Sequence, residues 1–371
     1  MSNSSPLVRI TQLMQLQELG IKSSQITFPR VTLSSATSLC VRHDDPQNPA
    51  KSRATIINPY NPDSSSSWPI NDADSVLVNP SRPLLVLRAG SVTQIYDVEK
   101  KNLYRQYDFW QRITFWIWLD SDTLAVITSG DVYHWNIKEL EPQWMFSPCS
   151  EMWSTEIVGY HQDHNKQWLA ISGLRLSQSG HVTGQSQLYS MEGRLGQVIE
   201  AQAVALPQYT FSLNKHPSSV FVAAVRGSQK KSGQLHVIEL GPHKPGNASL
   251  ITSRGNLPFQ TGSQDFPSAI QYMPKLGLLF ILSKYGFLFL SDLGSAQLIY
   301  TVQITTNIIF ATISDTKTEG IVGVCKNGKV LSLSVCKHTL YQFLQRHTVS
   351  PCIVHRLLPI LGYTKYKVTS V

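Results

Sequence analysis

The stretch ITFWIWLDSDTLAVITSGDVYHW, residues 113–135, decides the fold of this 371-residue chain. ITFWIWL mixes aromatic with β-branched and apolar residues, LAVIT is a short apolar run, and DVYHW follows a Ser129-Gly130 turn. β-Branched and aromatic side chains suit a pleated, half-buried surface, and Ser-Gly lets the backbone reverse at low cost. The stretch reads as an antiparallel β-meander, one blade of a larger repeat.

The same unit recurs along the chain. LLVLRAGSVTQIYDV turns at Gly90, LFILSKYGFLFLSDL at Gly286 and IVGVCKNGKVLSLSV at Gly328. Weaker copies are GHVTGQSQLYSM, with a turn expected near Gly184, and VAAVRGSQKKSGQLHVIEL, with one expected near Gly233. An earlier hairpin, LCVRHD to RATIIN, has no glycine turn. A strand-only repeat of roughly 40–50 residues is the pattern of a β-propeller, and the count predicts an all-β, seven-bladed one. The apolar segment Leu13, Leu16, Leu19 and Ile21 is expected to pair with the last blade and close the ring, because an open edge is an aggregation hazard.

Composition narrows the function. Cys40, Cys149, Cys325, Cys336 and Cys352 are odd in number and lack disulfide-like or zinc-like spacing, which fits a reducing compartment. The N-terminus has no signal-peptide core and the longest apolar run, Leu276–Leu282, is far short of a span, so a cytosolic protein is expected. The net charge is +8, but after Glu319 there is no acid, while Lys326, Lys329, Lys337, Arg346, Arg356, Lys365 and Lys367 contribute seven positives. Residues 1–319 therefore carry +1 (8 minus 7), and the propeller body does not read as a nucleic-acid binder.

Motifs for catalysis are missing: there is no Walker-type phosphate loop, zinc-protease helix, nucleophile elbow or dinucleotide fingerprint. The nearest approach to a metal motif is His161, Asp163 and His164, which reads as a polar turn between strands. No catalytic residue, metal or cofactor is expected. An enzyme with its site in the central channel would need converging acids, histidines or arginines on inner strands, and the sequence offers no such cluster.

An ordered series of segments resembles one family. QLMQLQELGI (12–21), VNP (78–80), RAGSVTQIYDVE (88–99), TFWIWL (114–119), VYHW (132–135), QLYS (187–190) and KYGFLFLSDL (284–293) are similar, in order and spacing over roughly residues 6–345, to the N-terminal propeller of the clathrin heavy chain. The resemblance implies a seven-bladed propeller whose grooves bind short linear motifs of endocytic adaptor proteins, at coated pits and vesicles on the cytoplasmic face.

It also implies sites. A groove between the first two blades, taking an apolar-acidic peptide, maps to Ile56, Leu85, Leu87, Val92, Gln94, Tyr96 and Lys101. Alternation along a strand places Val92, Gln94 and Tyr96 on one face independently of any relative. Trp68 stands where the family has an arginine and Leu103 where it has a second lysine, which should weaken acidic ligands. A central cavity maps to Phe28, Glu156 and Val158, with Glu156 replacing a glutamine and opposing an acidic peptide. A site between the middle blades maps to Trp168, Leu188, Gln197 and Ile199, with Arg194 standing beside the family arginine position now held by Gly193. A fourth, on the N-terminal segment, would use Gln12 and Gln15.

The expected organisation is a propeller over 1–336, the start of a helical linker over 337–348, and a divergent, flexible basic tail over 349–371 in which Pro351, Pro359 and Gly362 interrupt any helix. That tail could cling to a membrane or coat through its basic residues. Without the family's leg the protein is expected to be monomeric. The competing reading is a free-standing propeller scaffold or decoy that has lost adaptor binding.

Overall fold

A computed structural model describes residues 6–363 apart from 71–72, 179, 228–231, 249, 261–262 and 348. Seven antiparallel sheets make seven blades, each running from an innermost to an outermost strand. Blade 1 is Val31–Ser35, Ser38–Asp44, Ser52–Ile57 and Ser66–Ile70; blade 2 is Ser75–Val78, Leu84–Ala89, Val92–Asp97 and Asn102–Asp108. Blade 3 is Ile113–Trp118, Thr123–Thr128, Val132–Asn136 and Gln143–Phe146; blade 4 is Glu156–Gln162, Trp168–Leu176, Val182–Ser190 and Leu195–Glu200. Blade 5 is Ala203–Ala205 with Gln208–Tyr209, then Ser218–Val225, Ser232–Glu239 and Thr252–Pro258; blade 6 is Pro267–Met273, Leu278–Ser283, Phe287–Asp292 and Leu298–Gln303.

Blade 7 takes three strands from the end of the propeller, Ile309–Asp315, Gly320–Cys325 and Lys329–Val335, and its outermost strand, Val8–Gln15, from the beginning. Val8 pairs with Val335 and Gln15 with Lys329, so the ring closes through an N-terminal strand as expected, but that strand lies mostly upstream of the apolar segment from Leu13 to Ile21, whose Leu16–Leu19 form a 3-10 turn. The buried apolar side chains fall into seven clusters, one at each seam between neighbouring blades. Strand alternation is the cause: in blade 1, Cys40 and Ala54 face blade 2, while Leu39, Val41 and Ile57 face blade 7.

Two expected turns are in the wrong place. Gly184 lies inside a strand, opposite Leu174, and the reversal is at Gly180, whose φ is +78°. A Cβ on Gly184 would meet the Ala201 carbonyl at 2.2 Å, so glycine is there for close backbone approach rather than for turning. Gly233 likewise pairs with Leu257 within a strand, and the turn before it lies outside the described residues.

The segment after the propeller departs furthest from expectation. Helix α1 spans Lys337–Arg346, and a second helix, α2, spans Pro351–Ile360. A flexible tail beginning at residue 349 is therefore corrected over this stretch. Pro351 breaks continuity with α1 but starts α2, because a proline in the first helical turn gives up no hydrogen bond. Ile353, Val354, Leu357 and Leu358 are buried on one face of α2, against Leu276, Leu278 and the rest of the seam between blades 6 and 7. Arg356 donates to the Leu276 carbonyl and pairs with Asp292, so it is engaged by the propeller and not offered to an anionic surface. Lys365 and Lys367 lie outside the described residues. No described helix is long and apolar enough to cross a membrane.

Polar bonds also stitch the blades together. Tyr60 donates from its hydroxyl to Asp315 Oδ2 at 2.6 Å, tying blade 1 to blade 7. His134 Nε2 and the Tyr160 hydroxyl, 2.7 Å apart, tie blade 3 to blade 4. Burial, reinforced by Lys166, pushes the His134 imidazole down from 6.5 to about 4. Between those values the unfolded chain binds a proton that the folded chain refuses, so this contribution is complete above pH 6.5 and is lost as pH falls toward 4. About 3 kcal/mol should disappear across that window. Urea unfolding at pH 7 and 4.5 should show this loss, and the loss should shrink in His134→Gln; an unchanged difference would assign the acid sensitivity to other groups.

Candidate functional site

The groove residues of blades 1 and 2 do converge. Leu85 pairs with Tyr96, Leu87 with Gln94 and Ala89 with Val92, so these side chains share the face of blade 2 that looks at blade 1. Opposite them, Ile56 and Trp68 lie on the facing side of blade 1, and both pack with Leu87 against the buried cluster of Cys40, Ala54, Val76, Val78 and Leu85. The floor is thus aliphatic and continuous with the seam core. Leu85 is fully buried in it, whereas Val92, Gln94 and Tyr96 remain half-buried toward the rim.

The polar part of the rim is pre-oriented. Gln94 donates from Nε2 to Gln106 Oε1 at 2.9 Å and accepts the Tyr96 hydroxyl at 3.4 Å. One amide N–H of Gln94 is left over to meet a peptide carbonyl or carboxylate. Gln106 was not legible in the sequence. A register shift between Ile95 and Tyr96 sets Gln106 opposite Gln94, and alternation alone does not reveal a bulge. On the turn side of the shift, Leu103 lies opposite Tyr96, where it is 47% exposed. Lys101 is exposed at the turn into the outermost strand, with φ +56°, and has no ion-pair partner among the described residues.

Trp68 is not simply a lost charge. Its ring helps to fill the seam, and its Nε1 is buried without a hydrogen-bond partner. An arginine at this position would have to give up that packing.

The central-cavity residues also come together. Phe28, Glu156 and Val158 all line a cavity of about 650 Å³ on the propeller axis, to which the innermost strands of all seven blades contribute. Phe28 and Glu156 are exposed at it and Val158 is half-buried. In the middle blades, Trp168, Leu188, Gln197 and Ile199 share the face of blade 4 that meets blade 5. Trp168 donates from Nε1 to the Gly241 carbonyl at 2.6 Å, which fixes its ring beside a recess of about 690 Å³ lined by Gln167, Met191, Leu240 and Lys244. Arg194 stands exposed in the turn before the outermost strand, with φ +49°.

The N-terminal pair separates. Gln12 is exposed on the closing strand, but Gln15 donates to the Asn327 carbonyl at 2.8 Å and so serves the fold. The stretch His161–His164, expected as a polar turn, begins inside the strand Glu156–Gln162 and does not assemble a metal site either. Asp163 is buried and accepts the Gln167 and Trp168 amides at 2.7 and 2.8 Å and the Ser219 hydroxyl, while His164 is exposed. No group of three or more potential metal ligands occurs among the described residues.

No family model matches the chain. It is 32% identical over 352 residues to clathrin heavy chain 2 of Homo sapiens, covering 94% of this chain and 21% of that protein. Identity is 30% over 352 residues to the clathrin heavy chain of Drosophila melanogaster and 31% over 329 residues to that of Dictyostelium discoideum. The chain spans about a fifth of the length of these curated relatives. Among solved structures, a chain in a crystal structure of the mitotic checkpoint complex superposes with a TM-score of 0.57 over 90% of this chain at 14% identity, a likeness of fold alone.

Proposed function

The chain is a divergent relative of the clathrin heavy chains, matching their N-terminal domain over 94% of its own length, and from that premise we propose that it is a non-enzymatic propeller that docks short peptide motifs of adaptor proteins in coated-vesicle traffic. Coated pits and vesicles, on the cytoplasmic face, are the setting this reading implies. The observation that carries it is the blade 1–2 groove. An aliphatic floor shared by the two blades, an oriented glutamine and an aromatic rim converge on one groove, with a lysine that has no ion-pair partner among the described residues at the adjoining turn, as an extended apolar-acidic peptide requires. Alternate peptide side chains would enter the floor at Leu87 and Ile56, and a terminal acid would meet Lys101.

The test is calorimetry with a peptide of the form leucine-apolar-any-apolar-acid. Gln94→Ala with Lys101→Glu should weaken binding by about tenfold or more, because both a hydrogen bond and an attraction are removed. Leu103→Lys should strengthen it by up to about fivefold and steepen its dependence on salt, since a surface attraction is screened. Leu103 is the better position than Trp68 for this gain, because its side chain is free of the seam. Unchanged affinity in the double variant would place the peptide elsewhere. A wild-type protein that binds no such peptide would favour the scaffold that has lost adaptor binding.

A further inference from the structure

Of the chain's eight tryptophans three are exposed, and all three belong to blade 3 or to the connections that enter and leave it. Trp110, 87% exposed, stands in the connection into the blade, and Trp144, 54% exposed, is on its outermost strand. Trp153 follows that strand and lines the axial cavity. The first two lie outside that cavity and share an anchor. Asp131, in the turn between Thr123–Thr128 and Val132–Asn136, accepts the Trp144 indole N–H at 2.9 Å and the Ser147 hydroxyl at 2.6 Å on Oδ1. Its Oδ2 accepts the Gln111 side-chain amide at 3.2 Å. Gln111, next to Trp110, is held in turn by the Thr128 hydroxyl and the Gly130 N–H, which donate to its Oε1 at 2.6 and 3.1 Å.

Neither indole serves a seam core. Trp135 packs on Tyr107 and Trp116 carries the Arg88 guanidinium, but Trp110 and Trp144 meet no ring and no cation among the described residues. Indole faces left in water forgo the stabilisation that burial gives. Trp110 also sits at φ +60°, a region that a bulky side chain occupies only when its surroundings impose it, and its amide donates to Asp108 Oδ1 at 2.9 Å. Two carboxylates therefore flank the indoles, and neither Asp108 nor Asp131 has a lysine or arginine in ion-pair range among the described residues. Burial works to raise the Asp131 carboxyl, but the hydrogen bonds from Ser147, Trp144 and Gln111 hold it below the usual carboxylate range, so it is charged at neutral pH. Arg112, the next residue after Gln111, lines the axial cavity.

We propose that Trp110, Trp144 and Asp131 form a docking site for an arginine-bearing peptide segment, outside both the axial cavity and the blade 1–2 groove. An indole is the best aromatic surface for a cation, and a guanidinium both stacks on it and forks onto a carboxylate. Trp144 sets the two partners side by side: its N–H already bonds to Asp131, so a guanidinium over its face lies within reach of the carboxylate. Trp110 offers a second open face, beside Asp108, for the next cationic side chain. Charge selects this occupant over an anionic membrane or an acidic motif, each of which both carboxylates would repel. The inference goes beyond the function proposed above, shares no residue with the blade 1–2 groove and does not rest on it. The two ligands carry opposite charge, so failure of one reading is distinguishable from failure of the other.

The probe is the capped pentapeptide glycine-arginine-glycine-arginine-glycine, compared by calorimetry at low ionic strength with its citrulline analogue, which keeps the shape and loses the charge. The wild-type protein should prefer the arginine form by about tenfold, and a lysine form should fall between the two because a compact ammonium neither stacks nor forks. Trp110→Ala, which removes no side-chain hydrogen bond, ion pair or ring contact among the described residues, should cut the preference to about threefold. Adding Trp144→Ala should abolish it. Asp131→Asn, which keeps an oxygen for the Trp144 and Ser147 bonds, should also cut the preference to about threefold. A wild-type protein indifferent to the arginine and citrulline forms, or a preference that survives Trp110→Ala in full, would overturn the proposal. Capture by phosphatidylcholine vesicles that depends on Trp110, with no preference between the peptides, would overturn it in favour of a lipid surface.

Discussion

Removing residues 6–15 should leave no cooperatively folded monomer. That segment supplies the outermost strand of blade 7, paired from Val8 to Gln15 with the strand Lys329–Val335. Leu7, Val8 and Met14 are each no more than 5% exposed, and burying such side chains contributes about 1.5–3 kcal/mol apiece, or about 4.5–9 kcal/mol together. A domain's net stability is only about 5–15 kcal/mol. The shortened chain would also expose the edge of Lys329–Val335, a template for pairing with other copies. Size-exclusion chromatography and thermal unfolding give the readout, with aggregation or a non-cooperative transition expected. A monomer melting within a few degrees of the full chain would show that the ring closes without its first strand.

Leu357→Ala should lower the unfolding free energy by about 2–5 kcal/mol, the range for emptying a fully buried leucine site. Leu357 is 0% exposed and sits with Val354 and Ile353 against the seam of blades 6 and 7. Ile360, in the same helix but 40% exposed, is the control: Ile360→Ala should cost about 0.5 kcal/mol or less. Urea midpoints for the two variants separate the alternatives. A docked α2 makes the two costs very different, whereas a detached α2 makes both small. The Arg356 contacts with Asp292 and the Leu276 carbonyl give a third position, at which alanine should leave a buried carboxylate unpaired and destabilise the same seam.

The sequence by itself determined the blade, the number of blades and the closure of the ring. Those features follow from period-two alternation and from turn residues such as Gly90, Gly286 and Gly328, all with positive φ, and both signals are local. The groove face was legible for the same reason: Val92, Gln94 and Tyr96 had to point together once their strand was recognised. Gly184 and Gly233 misled because a glycine that admits a neighbouring backbone or ring looks, in sequence, like one that turns a chain. Only the tertiary structure decided the rest. Pro351 and Pro359 argued against one continuing helix, but not against a second short helix whose apolar face finds a partner in blades 6 and 7. Trp68 read as a missing charge until the seam showed its ring packed there. Arg88 and Arg112 belong to different blades and line one cavity only because innermost strands converge on one axis, a juxtaposition that no local pattern encodes.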